Sequence, residues 1–279
     1  MKRIRLILFV LCIFVAGYVV WSYRQVHFVR VTTLDIGQGD AILIQALQHF
    51  DVLTDAGADM TVVERLGERL PYFDRTIELL VLTHPDADHV TGFVEVLHRY
   101  HVQSVLLTGV EHYLPAYQEF LQLLVDQGVT ILYAQPGQRY SLPGAELTVL
   151  APKGDWRGKE PDDQNRYSVV TRLDVGAKSF ILTGDADFDE EKEMLESGLP
   201  LHADVLKLGH HGSKTSSSDA WLDAVEPSIV IVSAGLDNQF GHPSPETLER
   251  VEQRGAQILS TIEEGDVCIE VRGEELWRC

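Results

Sequence analysis

Apolar residues in this chain fall into short runs broken by polar turns, and the spacing within those runs alternates between strand-like and helix-like. Runs rich in Val, Ile and Leu at 29–34, 41–46 and 52–54 predict strands, the first two joined by the turn-rich Asp35-Ile36-Gly37-Gln38-Gly39-Asp40. A helix over 60–70 and a buried strand over 77–82 follow. Val90, Phe93, Val94 and Leu97 then share one face of a predicted helix over 90–100. The alternation continues with a strand over 102–107, a helix over 116–127 closed by Gly128, and a strand over 129–133. Beyond Gln135-Pro136-Gly137 the pattern turns β-rich, with strands at 146–150, 168–174 and 178–183, the last two joined by Val175-Gly176-Ala177. A strand over 205–208, a helix over 218–225, a strand over 229–233, a helix from Pro245-Glu246 and two closing strands complete the pattern. Strands interrupted by helices in both halves predict one α/β domain with two sheets inside and helices outside.

The first residues break this pattern. Lys2, Arg3 and Arg5 precede an uncharged, mostly apolar run over 6–23, and Arg24 follows it. With Ile4 the run approaches the roughly 20 residues a helix needs to span a bilayer. A cleaved signal peptide is the rival, but Ala16-Gly17 runs into Tyr18-Val19-Val20-Trp21, a poor cleavage context. Trp21 and Tyr23 suit a membrane interface, and the stronger positive cluster before the run places the N-terminus inside. The expectation is a transmembrane signal anchor over 1–26, with the domain over 27–279 on the extracytoplasmic side of the cell membrane.

Charge narrows the function classes. Lys plus Arg number 23 against 42 Asp plus Glu, a formal charge of −19, which argues against coating nucleic acid through a broad basic surface. It leaves room for a nucleic-acid enzyme whose active-site carboxylates are neutralised by cations. Cys12, Cys268 and Cys279 show no metal-ligand spacing; at most one disulfide could form in the domain, and none is implied.

The chemistry concentrates in Thr83-His84-Pro85-Asp86-Ala87-Asp88-His89, directly after the strand over 77–82. Two imidazoles and two carboxylates on one short loop cannot be buried together without severe desolvation, a cost that a divalent metal removes. Helix capping by Asp86 or Asp88 leaves both histidines unexplained. Three further strand ends carry ligand-type residues: Thr183-Gly184-Asp185, Gly209-His210-His211-Gly212-Ser213, and Gly241-His242-Pro243. Singly, Asp185 could cap a helix and His242 could be a solvated turn residue; the four loops together argue for a shared centre. The nitrogen and oxygen donor set suits Zn²⁺, with Mn²⁺ also plausible. Its size exceeds what one tetrahedral ion needs, so two metals sharing Asp185 are expected. Such a pair, about 3.5–4 Å apart, activates water and clamps the oxygens of a displacement.

These segments, with Leu34-Asp35-Ile36-Gly37-Gln38-Gly39-Asp40-Ala41 and Thr54-Asp55-Ala56-Gly57, resemble the metallo-β-lactamase fold, and in particular the hydrolase domain of ComEC-type DNA-uptake proteins. The resemblance implies a four-layer αββα sandwich. It further implies that His84 and Asp86 bind one metal, Asp88 and His89 the other, and Asp185 both, with His210 as the remaining histidine ligand. His211 and Ser213 would face substrate, Lys214 would meet a phosphate, and His242 would donate a proton or bind an anion; Asp88, His211 and His242 form the implied catalytic set. Asp55 would orient groups of the ligand loop, while Asp35, Gln38 and Asp40 either shape the rim or form a structural turn. Asp86 stands where the wider fold has a second histidine. Asp163, Asn165 and Ser168 occupy the region where the ComEC-type pattern has Asn and Ser.

The expected function is a membrane-anchored, metal-dependent phosphodiesterase, a nuclease acting on DNA outside the cytoplasmic membrane. A hydrolase of small esters, lactones or amides at the same centre is the alternative enzyme. A non-catalytic module with a degenerate metal site is the alternative outside enzymology.

Overall fold

The computed structural model describes residues 5, 9–18, 28–160 and 165–279. In chain order the domain runs β1 (Val29–Thr33), β2 (Ile42–Ala46), β3 (Phe50–Thr54), α1 (Thr61–Arg69), β4 (Thr76–Val81), α2 (Ala87–Arg99), β5 (His101–Leu107), α3 (Pro115–Gln127) and β6 (Thr130–Tyr133). It continues through β7 (Arg139–Leu142), β8 (Ala145–Ala151), β9 (Val170–Val175), β10 (Lys178–Leu182), α4 (Phe188–Leu195), β11 (Val205–Lys207), α5 (Asp219–Val225) and β12 (Ile229–Val232). The last elements are α6 (Pro245–Glu252), β13 (Gln257–Ser260), α7 (Thr261–Glu264), β14 (Val267–Arg272) and β15 (Glu275–Arg278).

Side-chain alternation explains how the strands form two stacked sheets. Ile77, Leu80 and Leu82 around β4 enter a core shared with α1, α2 and α3, while Leu79 and Val81 enter the core between the sheets. In β12, Val230 and Val232 face α4, α5 and α6, and Ile231 faces the other sheet. Strands buried on both faces read as continuous apolar runs. Three apolar layers therefore separate helices, sheet, sheet and helices, the αββα sandwich. One sheet has the order β15-β14-β1-β2-β3-β4-β5-β6 and the other β13-β12-β11-β10-β9-β8-β7. Phe93 of α2 stacks on Phe120 of α3 with ring centroids 5.4 Å apart, and Trp221 anchors α5 without solvent exposure. Truncating such a buried aromatic to alanine typically removes about 3–5 kcal/mol.

β3 through β6 pair in parallel, as do β10 through β13. Parallel pairing requires each connection to cross back, so the carboxyl ends of these strands gather along one edge of each sheet. That edge is where open α/β sheets bind ligands.

The closing segment is longer than the sequence pattern predicts: three strands and a short helix follow α6. β13 extends the second sheet, whereas β14 pairs with β1 and returns the chain to the first. Cys268 of β14 and Cys279 beyond β15 form a disulfide, which the cysteine spacing permitted but did not require. Residues 9–18 are helical, and Cys12 there is exposed. Among the described residues no helix is long and apolar enough to cross a membrane. The rest of the predicted span, residues 6–8 and 19–23, and the domain boundary at 26/27 lie outside the described residues, as does Asp163.

Candidate metal centre

Three imidazoles converge where these strands end. His84 lies just beyond β4, His89 in the first turns of α2, and His211 in the turn after β11. Each has its Nδ1 engaged and its Nε2 free. Thr83 Oγ1 donates to Asp55 Oδ2 at 2.6 Å and lies 3.0 Å from His84 Nδ1, so that hydroxyl accepts the imidazole N–H. His89 Nδ1 donates to Asp55 Oδ2 at 2.8 Å, and His211 Nδ1 to the Ser233 carbonyl at 2.9 Å. These oxygen partners fix the tautomer that leaves all three Nε2 lone pairs facing inward.

Those nitrogens are buried without a hydrogen-bond partner, and so is Asp185 Oδ1. His89 Nε2 lies 3.4 Å from Asp185 Oδ1; Asp185 Oδ2 lies 3.5 Å from His211 Nε2 and 3.9 Å from His84 Nε2. Asp88 Oδ2 stands 3.5 Å from His211 Nε2, and Asp86 Oδ2 3.6 Å from His84 Nε2. A buried polar atom without a partner is expensive, and four aimed at one point are rarer still. The donors fit a divalent cation: His84, His89 and Asp185 form one cluster, and Asp88, His89 and His211 another. Asp185, reaching all three imidazoles, is placed to serve both.

The electrostatics agree. Burial pushes the Asp185 carboxyl up, but His211, His89 and His84 together hold it well below the usual carboxylate range. Burial likewise opposes ionisation of Asp88, and His211 and His89 outweigh it. Burial lowers the His211 imidazole, yet Asp185, Asp40 and Asp88 raise it to about 9. Without a cation these groups share protons; with one, the protons are displaced.

Two elements hold this arrangement. Gly184, at φ 51°, brings β10 against the ligand loop, where a Cβ would sit 2.7 Å from Thr83 Cβ. Asp185 N–H donates to Ser168 Oγ at 3.2 Å. The other element is Lys207, which has no solvent exposure and which no motif in the sequence marks. Its ammonium pairs with Asp40, donates to the Gly184 carbonyl at 3.0 Å and lies 3.9 Å from Asp185 Oδ1. Burial raises the Asp40 carboxyl, but Lys207 and then His211 bring it down to about 2. A lysine inside the apolar run Val205-Leu206-Lys207-Leu208 was the signal that could have found it.

The neighbouring histidines occupy different places. His211 is 1% exposed; His210, its side chain 28% exposed, lies 3.8 Å from Asp185 Oδ2 with its ring beside the Asn165 amide. Both have positive φ, 47° for His210 and 54° for His211, so the backbone coils tightly enough to send consecutive rings in different directions. The resemblance implies His210 as the ligand and His211 toward substrate; the structure buries His211 among the carboxylates and sets His210 at the mouth. His242 joins it there, ring centroids 5.4 Å apart, on a loop that Asn238 pins through its own carboxamide. Burial and the two neighbouring imidazoles lower the His242 pKa. Ser213 is buried with its hydroxyl 3.1 Å from that of Thr215, and Lys214 is exposed. Asp55 is fully buried and accepts from the Thr83 N–H and hydroxyl and from His89.

Fold and site together place the chain in a known class. The profile of the Metallo-beta-lactamase superfamily matches residues 34–235, and the chain belongs to that superfamily. It is 30% identical to ComE operon protein 3 of Bacillus subtilis over 85% of this chain, and 31% identical to Competence protein ComA of Neisseria gonorrhoeae over 88%. Those alignments take in 32% and 33% of the relatives, so the chain spans about a third of their length. The crystal structure of CmlA, a diiron beta-hydroxylase from Streptomyces venezuelae, shares the fold at a TM-score of 0.56 and 17% identity, covering 90% of this chain and 54% of that one.

Proposed function

We propose that the chain is a metal-dependent phosphodiesterase that cleaves DNA on the outer side of the cytoplasmic membrane. The observation that carries this reading is the convergence of three unpartnered Nε2 atoms and Asp185 Oδ1 on one buried point. His84, His89, His211, Asp86, Asp88 and Asp185 would hold the metal, with Asp185 shared. Counting charge supports two ions: Asp40, Asp55, Asp86, Asp88 and Asp185 set against Lys207 leave four negative charges, which two divalent cations, Zn²⁺ or Mn²⁺, neutralise. Such cations supply Lewis acidity and lower the pKa of water toward about 7.

The protein's own groups set the rest. Asp55, Thr83 and Ser233 hold the three imidazoles in register, and Lys207 fixes Asp40 and the strand end before Asp185. His210 and His242 face the mouth. His242, driven down in pKa, is neutral at pH 7, so its ring positions a phosphoryl or leaving oxygen by hydrogen bonding. DNA as the polymer follows from the resemblance to DNA-uptake proteins. The Cys268–Cys279 disulfide supports an oxidising compartment, and the apolar run at 6–23 behind Lys2, Arg3 and Arg5 supports anchoring with the domain outside.

The test is the full chain in detergent, loaded with Zn²⁺ or Mn²⁺ and assayed on DNA, bis-p-nitrophenyl phosphate, a lactone and nitrocefin. Cleavage of the phosphodiesters, lost in Asp88→Ala, is expected. Cleavage of the lactone or nitrocefin alone would replace this reading with that of a small-ester or amide hydrolase, which the acidity of the chain would suit. Less than one bound metal per chain would leave a binding module. Fractionation and protease accessibility in intact cells test the anchoring.

A further inference from the structure

We infer that an aromatic cavity beyond β5 and β6 holds a nucleobase of the substrate beside the metal centre; the inference rests on the phosphodiesterase reading and adds a binding site to it. The cavity has a volume of about 440 Å³, and Tyr113, Tyr117, Tyr133, His112 and Glu111 are among the residues lining it. Its position follows from strand register. Val81 of β4 lies opposite Leu106 of β5, and Leu82 N–H donates to the Leu106 carbonyl at 2.9 Å. The segment leaving β5 toward Gly109 and Tyr113 therefore starts one strand from the segment leaving β4 toward His84, a spacing of about 4.8 Å.

A second connection reaches the centre from the other side. The loop over 156–160 pairs with the cavity wall, Gly158 N–H donating to the Gly109 carbonyl and Glu111 N–H to that of Lys159. The Arg157 guanidinium lies 5.2 Å from the Tyr133 ring centroid, and the Lys159 ammonium 4.7 Å from that of Trp156. Trp156 packs on Tyr167 at 3.7 Å, and Asn165, two residues before Tyr167, borders His210. Aromatic rings, the Lys159 ammonium and the Arg157–Asp155 pair thus run from the cavity toward the mouth where His210 and His242 stand.

The lining selects the occupant. Tyr113 is 74% exposed and offers a free aromatic surface. Glu111 repels an isolated phosphate and would strand a buried acyl chain beside a carboxylate, but it can accept from the exocyclic amine of a base. Arg157, which also pairs with Asp155, and Lys159 lie on the loop that joins the cavity wall to Trp156, where the phosphate joining that base to the scissile linkage would pass. A flat ring with a hydrogen-bonding edge and an attached anion meets all three conditions, and stacking of this kind tolerates any base.

The test compares single-stranded oligodeoxynucleotides with base-free deoxyribose-phosphate oligomers of equal length, using metal-loaded full chain. Wild type should show a KM for the base-bearing strand lower by about 5- to 100-fold. The Tyr113→Ala, Tyr133→Ala double variant should lose that preference, with kcat and metal content retained. Equal KM for the two polymers in wild type, or a preference that survives in the variant, overturns the inference. Ring shifts of isotope-labelled Tyr113 and Tyr133 on adding thymidine 5′-monophosphate read the cavity without turnover. Shifts without DNA cleavage would sink the phosphodiesterase reading and leave the cavity as a nucleotide site; cleavage without shifts would sink the cavity alone.

Discussion

Asp51 and Asp55 sit at opposite ends of β3, both shut away from solvent, and they meet opposite surroundings. Both Asp55 oxygens accept hydrogen bonds, from Thr83 and from His89. Asp51 faces Asp74 and Glu78, and burial together with those two carboxylates pushes it up to about 7. Beyond the carboxyl end of the strand, Asp185 and Asp40 are about as buried as Asp51, whereas Asp88 is partly exposed, and imidazoles and an ammonium pull all three down. Burial alone therefore does not make a carboxylate useful. What separates the two ends is a set of cationic or cation-accepting partners held by oxygen acceptors.

The largest effect should come from removing the shared carboxylate. Asp185→Asn is expected to weaken metal binding by more than the roughly 100-fold typical of supporting residues, and to abolish turnover; elemental analysis and phosphodiester assays check this. Asp55→Asn, which loosens the His89 ring, should weaken metal binding by about 10- to 100-fold while the chain stays folded, as read by metal titration. His211→Ala should behave like the first variant, and His210→Ala should keep its metal and raise KM, a split that a titration and one kinetic series resolve. Because metal must displace the proton that His211 holds to about 9, affinity should rise about tenfold per pH unit below that value for this one proton.

Asp51 sharpens the contrast from the other side. Its carboxyl is raised from 3.8 to about 7, so the folded chain keeps a proton there that the unfolded chain releases. Stability therefore falls as pH rises through that window, and the penalty is complete above it. Asp51→Asn should stabilise the protein by about 1–3 kcal/mol at pH 8 and leave it unchanged below pH 4, measured by denaturant titration. The smallest effect is that of Asp74→Asn, which should lower the Asp51 midpoint by less than about one unit in an NMR titration.

Much of the fold was legible because apolar runs such as 77–82 and 229–233 are buried on both faces and announce themselves. The candidate ligand loop stood out because two imidazoles and two carboxylates crowd one turn. The assignment of His210 and His211 was not, since the direction of each ring depends on a coiled backbone with positive φ at both residues. Lys207 escaped because one charged letter in a strand-like run gives no hint of Asp40, which reaches it from a turn far away in sequence. The edge strand Arg139–Leu142 escaped for a different reason: only Leu142 of that strand is buried, so no apolar alternation marks it.

The direction of β1 fixes where the chain ahead of it joins the domain. β1 runs from Val29 toward the Asp35–Asp40 turn beside His211, so the polypeptide enters the sandwich at the pole opposite the candidate metal centre. If the chain is anchored ahead of residue 28, as proposed above, the tether joins the domain at the pole opposite the mouth where His210 and His242 stand. On the proposed reading, a long polymer meets that face along its length without threading between domain and tether.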